Sequence, residues 1–253
     1  ARRNGVGWVL SGRKKWITNG GLADVVLVFA RTGADRDMGC FLVEPTQEGY
    51  EVVARANTMG LRASETAELE LEGVRVPSGA LVGKENEGLR YALQALDLGR
   101  LGIAAQALGI ARASMEHATA YAVERQQFGR AIGEFGAIQK KLAEMATRIA
   151  AARELTLAVG MEWQRAGFGG RGGEGVDTVS ARAAMAKMMA SEAAMWASDE
   201  AVQIFGGYGY MRDYPVEKLM RDAKGTEISE GTNEIMRMVV AREMLRVARN
   251  GKE

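Results

Sequence analysis

The stretch ISEGTNEIMR, residues 228–237, places Glu230, Gly231, Thr232, Asn233 and Glu234 in immediate succession. Thr232 is placed as a helix N-cap, where its hydroxyl can accept a bond from an orphan backbone N–H of the first turn. Glu234 then falls in that turn, where the helix dipole favours a negative charge. Glu230 and Gly231 stand one step outside the helix and have no part in its capping. A carboxylate there is either a solvated acid held by the dipole or a general base. A solvated Glu, with a reference value of about 4.3, is a poor base for a weakly acidic carbon. Base chemistry needs the carboxyl raised by burial toward the operating pH. A Glu followed by Gly at the end of a loop can present a carboxylate and a backbone N–H to one site, as stabilisation of a developing oxyanion requires. By themselves the residues favour the solvated acid.

Other chemistry-bearing residues are sparse. Asp97 and Arg100 interrupt an apolar helical stripe. They read either as an i,i+3 ion pair on a mostly exposed edge, worth about 0.2–0.5 kcal/mol, or as the polar wall of a ligand site; spacing alone favours the ion pair. His117 is the single histidine. It has no Cys, His or carboxylate partners at ligand spacing, so a metal site is not expected, and a surface position is. Cys40, the one cysteine, is expected to be a small buried hydrophobe. The glycine-rich segment AGFGGRGGEG (166–175) follows no strand and lacks a Lys-Ser/Thr pair, so a linker is expected rather than a phosphate cradle. No G-x-G-x-x-G follows a strand, and no Rossmann pyrophosphate site is expected.

Composition narrows the class. The chain has 253 residues, 47% hydrophobic and 26% charged, with 33 basic and 32 acidic side chains and a net charge of +1. That is the profile of a soluble globular protein, and no basic field exists to drive nucleic-acid binding. No apolar run is long enough for a bilayer span, and no signal peptide is visible. A single cysteine excludes an internal disulfide framework and fits a reducing compartment.

The elements that must position these residues divide in two. Residues 1–77 read as an antiparallel β portion. GWVLSGRKKWITNG alternates around Ser11-Gly12 and predicts a hairpin. ADVVLVFART, MGCFLVEP, GYEVVARAN and AELELEGVRVP follow as short strands, with Leu69, Leu71, Val74 and Val76 on the buried side. Residues 78–253 switch to a helical period. A first helix from about 87 to 126 carries Leu89, Leu93, Leu96, Ile103, Ala107 and Ile110 on one stripe. A second carries Ile138, Leu142, Met145, Ile149, Ala152 and Val159. A third, from about 176 to 205, carries Ala183, Ala186, Ala190, Ala193 and Ala197. Two shorter helices cover PVEKLMRDA and NEIMRMVVAREMLRVA. The expected class is α+β: an antiparallel β-domain portion followed by an up-and-down helical bundle.

Four motifs occur together: GRKKWITNG (12–20), YAVERQQFG (121–129), AVQIFGGYGY (201–210) and RDAKGTEISEGTNEIMR (221–237). In this order, and with the β-to-bundle switch, the chain resembles the acyl-CoA dehydrogenase family over essentially its whole length. LDLGRLGIAAQALGIA (96–111) resembles the short-chain branch. The resemblance implies a flavoenzyme that takes the α-proton of an acyl-CoA thioester with a glutamate and passes the β-hydride to N5 of FAD. It implies Glu230 as that base, with Gly231 beside the thioester and Asp97, Leu98, Gly99 and Arg100 in a substrate-contact segment. It implies that Thr232, Asn233 and Glu234 border the flavin and that Trp16, Ile17 and Thr18 cover the isoalloxazine. Arg125 and Phe128 would meet the pyrophosphate and adenosine. Gln203, Ile204, Phe205, Gly206 and Gly207 would meet the adenine side across a dimer interface. Some branches place the base at the position of Gly99; here Gly99 cannot serve and Glu230 is present.

The expected substrate is a short- to medium-chain or branched short-chain acyl-CoA, with an electron-transferring flavoprotein as acceptor and a dimer of dimers as assembly. The family's N-terminal helical domain and its T-E-P-x-x-G-S-D flavin segment have no counterpart in these 253 residues, which is expected of a fragment or truncated member. Ser229 stands where the family often has Tyr, and Gly136 where a flavin-contacting Gln is usual. An acyl-CoA oxidase and a non-catalytic helical interaction module are the competing readings. The chain's end soon after Arg246 favours the dehydrogenase. The compartment expected is the bacterial cytoplasm, or the mitochondrial matrix in a eukaryote.

Overall fold

The computed structural model describes residues 1–34, 37–166 and 174–250; the glycine-rich segment of the sequence lies largely outside them. The chain divides into two compact units, Ala1–Ala95 and Leu96–Glu253.

The first unit is antiparallel β. Strands β1 (Arg2–Asn4), β2 (Gly7–Thr18), β5 (Tyr50–Arg55) and β6 (Thr66–Pro77) form one sheet in the order β1-β2-β6-β5, and β3 (Val26–Arg31) pairs with β4 (Met38–Val43). Trp8, Leu10, Val28, Phe41, Val43, Leu71, Val74 and Val76 form its core, with Trp8 edge-on to Phe41 at 5.2 Å. Cys40 is buried, as expected.

The hairpin expected at Ser11-Gly12 is not formed. β2 runs unbroken through these residues and pairs with β6, Leu10 opposite Val74 and Gly12 opposite Leu71. The irregularity is a bulge on β6. Gly73 adopts φ +68° and donates its N–H to the Ser11 hydroxyl at 3.1 Å. The extra residue moves the buried phase from Leu69 and Leu71 to Val74 and Val76, so one strand keeps both pairs inward. A second bulge lies on β2, between Lys14 and Ile17.

The helical unit contains most of α1 (Gly88–Glu124), then α2 (Gly136–Ala166), α3 (Glu174–Phe205), α4 (Val216–Ile228) and α5 (Asn233–Asn250). A small hairpin, β7 (Gln126–Gln127) with β8 (Arg130–Ala131), joins α1 to α2. Its two turn residues, Phe128 and Gly129, have φ of +54° and +81°, the signs of a type I′ turn. Helix α3 packs against α2, α4 and α5. It can do so because Ala183, Ala186, Ala190, Ala194, Ala197 and Ala201 are fully buried on it, and small side chains let neighbouring helices approach. Leu93, expected on the buried stripe of α1, is half exposed.

Filling a site of close approach has no compensating space, and overpacking costs about 1–3 kcal/mol. Ala190→Leu is expected to destabilise the protein by that amount, read as a lower urea midpoint at unchanged m. Ala151→Leu, on the exposed face of α2, is expected to change stability by less than about 0.5 kcal/mol.

Candidate active site

Glu230 lies on the short connection between α4 and α5. Helix α4 closes with the Ser229 N–H on the Gly225 carbonyl at 3.0 Å, and the Ser229 hydroxyl donates to the same carbonyl at 3.0 Å. Ser229 then leaves the helix in an extended conformation. Glu230 and Gly231 follow with φ of +57° and +99°. A left-handed glutamate costs on the order of 1–3 kcal/mol, and such strain persists only where surrounding contacts impose it. Helix α5 begins next, with the Met236 N–H on the Thr232 carbonyl at 3.0 Å. The Glu234 carboxyl is held below its ordinary value by its own backbone N–H and then by the Thr232 hydroxyl, which donates to that carboxylate.

The Glu230 carboxyl lies against α1. A Cβ built on Gly99 would meet Glu230 Oε2 at 2.5 Å and Cδ at 2.7 Å. Glycine at 99 is therefore what lets the carboxylate rest on the helix. Burial raises the Glu230 carboxyl above the ordinary carboxylate value, and the nearby Arg100 and Lys187 charges pull it part of the way back. Among the described residues no hydrogen bond occupies the Glu230 backbone N–H.

Arg100 holds the turn from the α1 side. Its Nη1 donates to Asp97 Oδ1 at 2.6 Å and its Nε to the Glu230 carbonyl at 3.4 Å. Ser180 Oγ donates to the same Asp97 oxygen at 2.7 Å. The pair is buried, with side-chain exposures of 7% and 6%, which corrects the expectation of an exposed ion pair. Leu98, in the same segment, is partly exposed.

Lys187 holds the turn from α3. Its ammonium donates to the Glu227 and Gly231 carbonyls, each at 2.9 Å, and to Asn233 Oδ1 at 2.8 Å. Asn233 in turn donates to Ser191 Oγ at 3.0 Å. Burial pushes the Lys187 ammonium down to about 8, aided by Arg100 and opposed by Glu227, Glu234 and Glu192. Lys187 is not among the residues that sequence spacing singled out. Its signal was available: Lys187 follows Ala183 by four positions and precedes Ala190 by three, a cation in phase with a buried stripe.

A second group of expected residues meets at a cavity of about 500 Å³ lined by Tyr121, Arg125, Gln127, Ile132, Ile204 to Tyr208 and Met211. Tyr121 and Phe205 stack at 4.1 Å, and the Arg125 guanidinium sits over the Tyr208 ring at 5.4 Å. An aromatic wall beside one cation suits a ring system carrying phosphate. Ile204, Phe205, Gly206, Gly207 and Arg125 converge there. Gln203 is exposed and does not line this cavity, and neither does Phe128, which is 93% exposed on its turn. His117 is on the surface.

In the β unit, Trp16 occupies the β2 bulge with φ +61°. The bulge aims the indole outward, 68% exposed, beside a cavity of about 310 Å³ that Lys15, Ala54 and Asn57 also line. Ile17 and Thr18 resume the ladder opposite Ala67 and Thr66. Among the described residues no cluster of three or more His, Cys, Asp or Glu could hold a metal ion, and no helix is long and apolar enough to cross a membrane.

The family description "Acyl-CoA dehydrogenase, C-terminal domain" matches residues 86–245, and "Acyl-CoA dehydrogenase, middle domain" matches residues 1–74. An acyl-CoA dehydrogenase of Bacillus subtilis (strain 168) is 46% identical over 247 residues, which cover 96% of this chain and 62% of the relative. The structure of butyryl-CoA dehydrogenase from Megasphaera elsdenii superposes with a TM-score of 0.90 at 40% identity, covering 96% of this chain and 62% of that one. A chain from the structural work on electron transferring flavoprotein of Acidaminococcus fermentans also gives a TM-score of 0.90, at 44% identity over 97% of this chain and 63% of its own. The chain thus spans about three fifths of the length of these relatives.

Removing one partner of a buried pair strands the other charge, at a cost of about 3–5 kcal/mol. Asp97→Ala is expected to destabilise the protein by that amount in urea unfolding. Glu116→Ala, which breaks the exposed Arg112–Glu116 pair, is expected to cost less than about 1 kcal/mol.

Proposed function

The chain belongs to the acyl-CoA dehydrogenase family, and we propose that it carries the base and part of the flavin site of an enzyme that desaturates a short-chain acyl-CoA between Cα and Cβ. The observation that carries this reading is the Glu230 carboxyl, raised by burial and resting on Gly99 in a strained turn. A solvated acid capping a helix needs none of these. The similarity to a butyryl-CoA dehydrogenase supports the short acyl chain.

In this reading Glu230 takes the α-proton of the thioester. Its raised value brings the carboxylate closer to the basicity the task needs. The charge that then develops on the thioester oxygen is met by the Glu230 backbone N–H, which no described residue occupies. A donor fixed in place before reaction stabilises that charge without reorganisation. Arg100 and Lys187 surround the turn with positive charge. FAD, when bound, supplies the acceptor for the β-hydride. The residues present fit it: the cavity at Arg125 offers a cation and stacked aromatic rings, and the left-handed Trp16 presents an exposed indole. Thr232, Asn233 and Glu234 would border the flavin, and Gly231 the thioester. Phe128 and Gln203, both exposed, suit contact with another subunit's cofactor in a dimer of dimers. An electron-transferring flavoprotein is the acceptor this reading assigns, supported by the likeness to a chain from that structural work.

Butyryl-CoA added to the full-length, FAD-loaded protein is expected to bleach the flavin. Glu230→Gln is expected to keep its flavin and lose the bleaching; reduction at a near-normal rate in that variant would refute the assignment. The carboxylate is the active form, so the reduction rate is expected to fall as pH drops through the raised Glu230 value, above the reference of about 4.3. Gly99→Ala separates positioning from folding. Alanine in place of glycine inside a helix favours the fold by roughly 0.5–1 kcal/mol, yet its Cβ must displace the carboxylate. The variant is expected to melt no lower than wild type and to reduce flavin roughly 10²-fold more slowly, the usual effect of a 1 Å misplacement.

A further inference from the structure

Glu230 needs a backbone conformation that glutamate does not prefer, and something must impose it. Arg100 reaches the turn at one carbonyl, at a long 3.4 Å. Lys187 reaches it at three acceptors, all at 2.8–2.9 Å. The three are spread along the connection: the Glu227 carbonyl in the last turn of α4, the Gly231 carbonyl directly after Glu230, and the Asn233 side chain at the start of α5. A lysine ammonium has three N–H donors, so all three are used.

We propose that Lys187 is the positioning residue of this site, a clamp that fixes the left-handed Glu230–Gly231 turn and so aims the carboxylate that takes the substrate proton. The assignment rests on the reading of Glu230 as the base.

Two features separate this clamp from ordinary core packing. An apolar side chain of the same length would fill the space in the Ala stripe of α3 and avoid the cost of burying a cation. An ammonium there is explained by the acceptors it satisfies, and each of those belongs to the segment 227–233. The charge also bears on the base, since Lys187 lowers the proton affinity of the Glu230 carboxyl. The charged groups facing Lys187 are Arg100 from α1, Glu192 from α3, Glu227 from α4, Glu230 from the turn and Glu234 from α5. Removing the ammonium leaves Arg100 as the one cation of that set and raises the Glu230 carboxyl further.

The test uses Lys187→Met, which is unbranched, one atom shorter and removes every donor, and Lys187→Gln, which keeps two, in the full-length FAD-loaded protein. Amide hydrogen exchange is measured first, because it does not depend on activity. Exchange of the Ser229 and Met236 amides, whose hydrogen bonds to the Gly225 and Thr232 carbonyls flank the turn, is expected to accelerate in both variants, more in Met than in Gln, with the middle of α4 and α5 unchanged. Unchanged exchange across the turn overturns the clamp whatever the enzyme does. Rapid reduction by butyryl-CoA is then followed against pH. Lys187→Met is expected to lose roughly 10²-fold in rate, Lys187→Gln less, and in both the acid limb is expected to move to higher pH. A slower rate with the acid limb unmoved means a merely structural lysine and overturns the proposal. If Lys187→Met does not fold, Lys187→Gln carries both measurements. Wild-type protein that is not reduced by acyl-CoA counts against the proposed function, and the exchange result still decides whether Lys187 holds the turn.

Discussion

The helical unit depends on how one strained turn is held. Between α4 and α5 the backbone takes two consecutive left-handed residues, and carbonyl groups around that turn face cations from two other helices. Arg100 contacts the Glu230 carbonyl from α1, and Lys187 contacts the Glu227 and Gly231 carbonyls from α3. Both cations are buried, so each requires partners. The turn supplies those partners, and the cations supply the reason for the turn to persist. Strain and buried charge, each unfavourable alone, are mutually satisfied.

That arrangement explains why the surrounding elements are built as they are. Lys187 can reach α4 and α5 because α3 is lined with alanine, which brings the three helices close. Glu230 can rest on α1 because residue 99 has no side chain. Asp97 balances Arg100 three residues away, and Ser180 on α3 donates to the same carboxylate. The contacts are polar and specific, and they join α1, α3, α4 and α5 at one end of the Glu230 turn.

Much of this was legible in the sequence, and the exceptions are instructive. The alternation of Leu69, Leu71, Val74 and Val76 gave the buried face of β6, but the change of phase between Leu71 and Val74 needed Gly73 to be read as a bulge. The same misreading turned Ser11-Gly12 into a hairpin, since a bulge and a turn share their residue types. Capping chemistry identified the start of α5 at Thr232. Asp97 and Arg100 were visible as a pair, but helical spacing carries no information on burial, and their worth differs several-fold between an exposed and a buried edge. Lys187 is hidden in the Ala stripe, whose small residues alone account for close helix packing. The left-handed turn at Glu230 was not legible at all: glycine follows it, yet the strain falls on the glutamate.

The electrostatics of the site follow from the same geometry. Desolvation pushes the Glu230 carboxyl upward. Arg100 and Lys187 work in the opposite sense, so the carboxyl is tuned by a balance instead of by burial alone. Neither cation is itself given over to the carboxylate through a direct ion pair: Arg100 is committed to Asp97, and Lys187 to two carbonyls and an amide. A salt bridge to Glu230 would have lowered its proton affinity further and occupied its oxygens. Cations anchored elsewhere bias the base from a distance and leave the carboxylate oxygens available to a substrate proton. The residues that fix the backbone of the turn are thus the same ones that set the charge of its side chain.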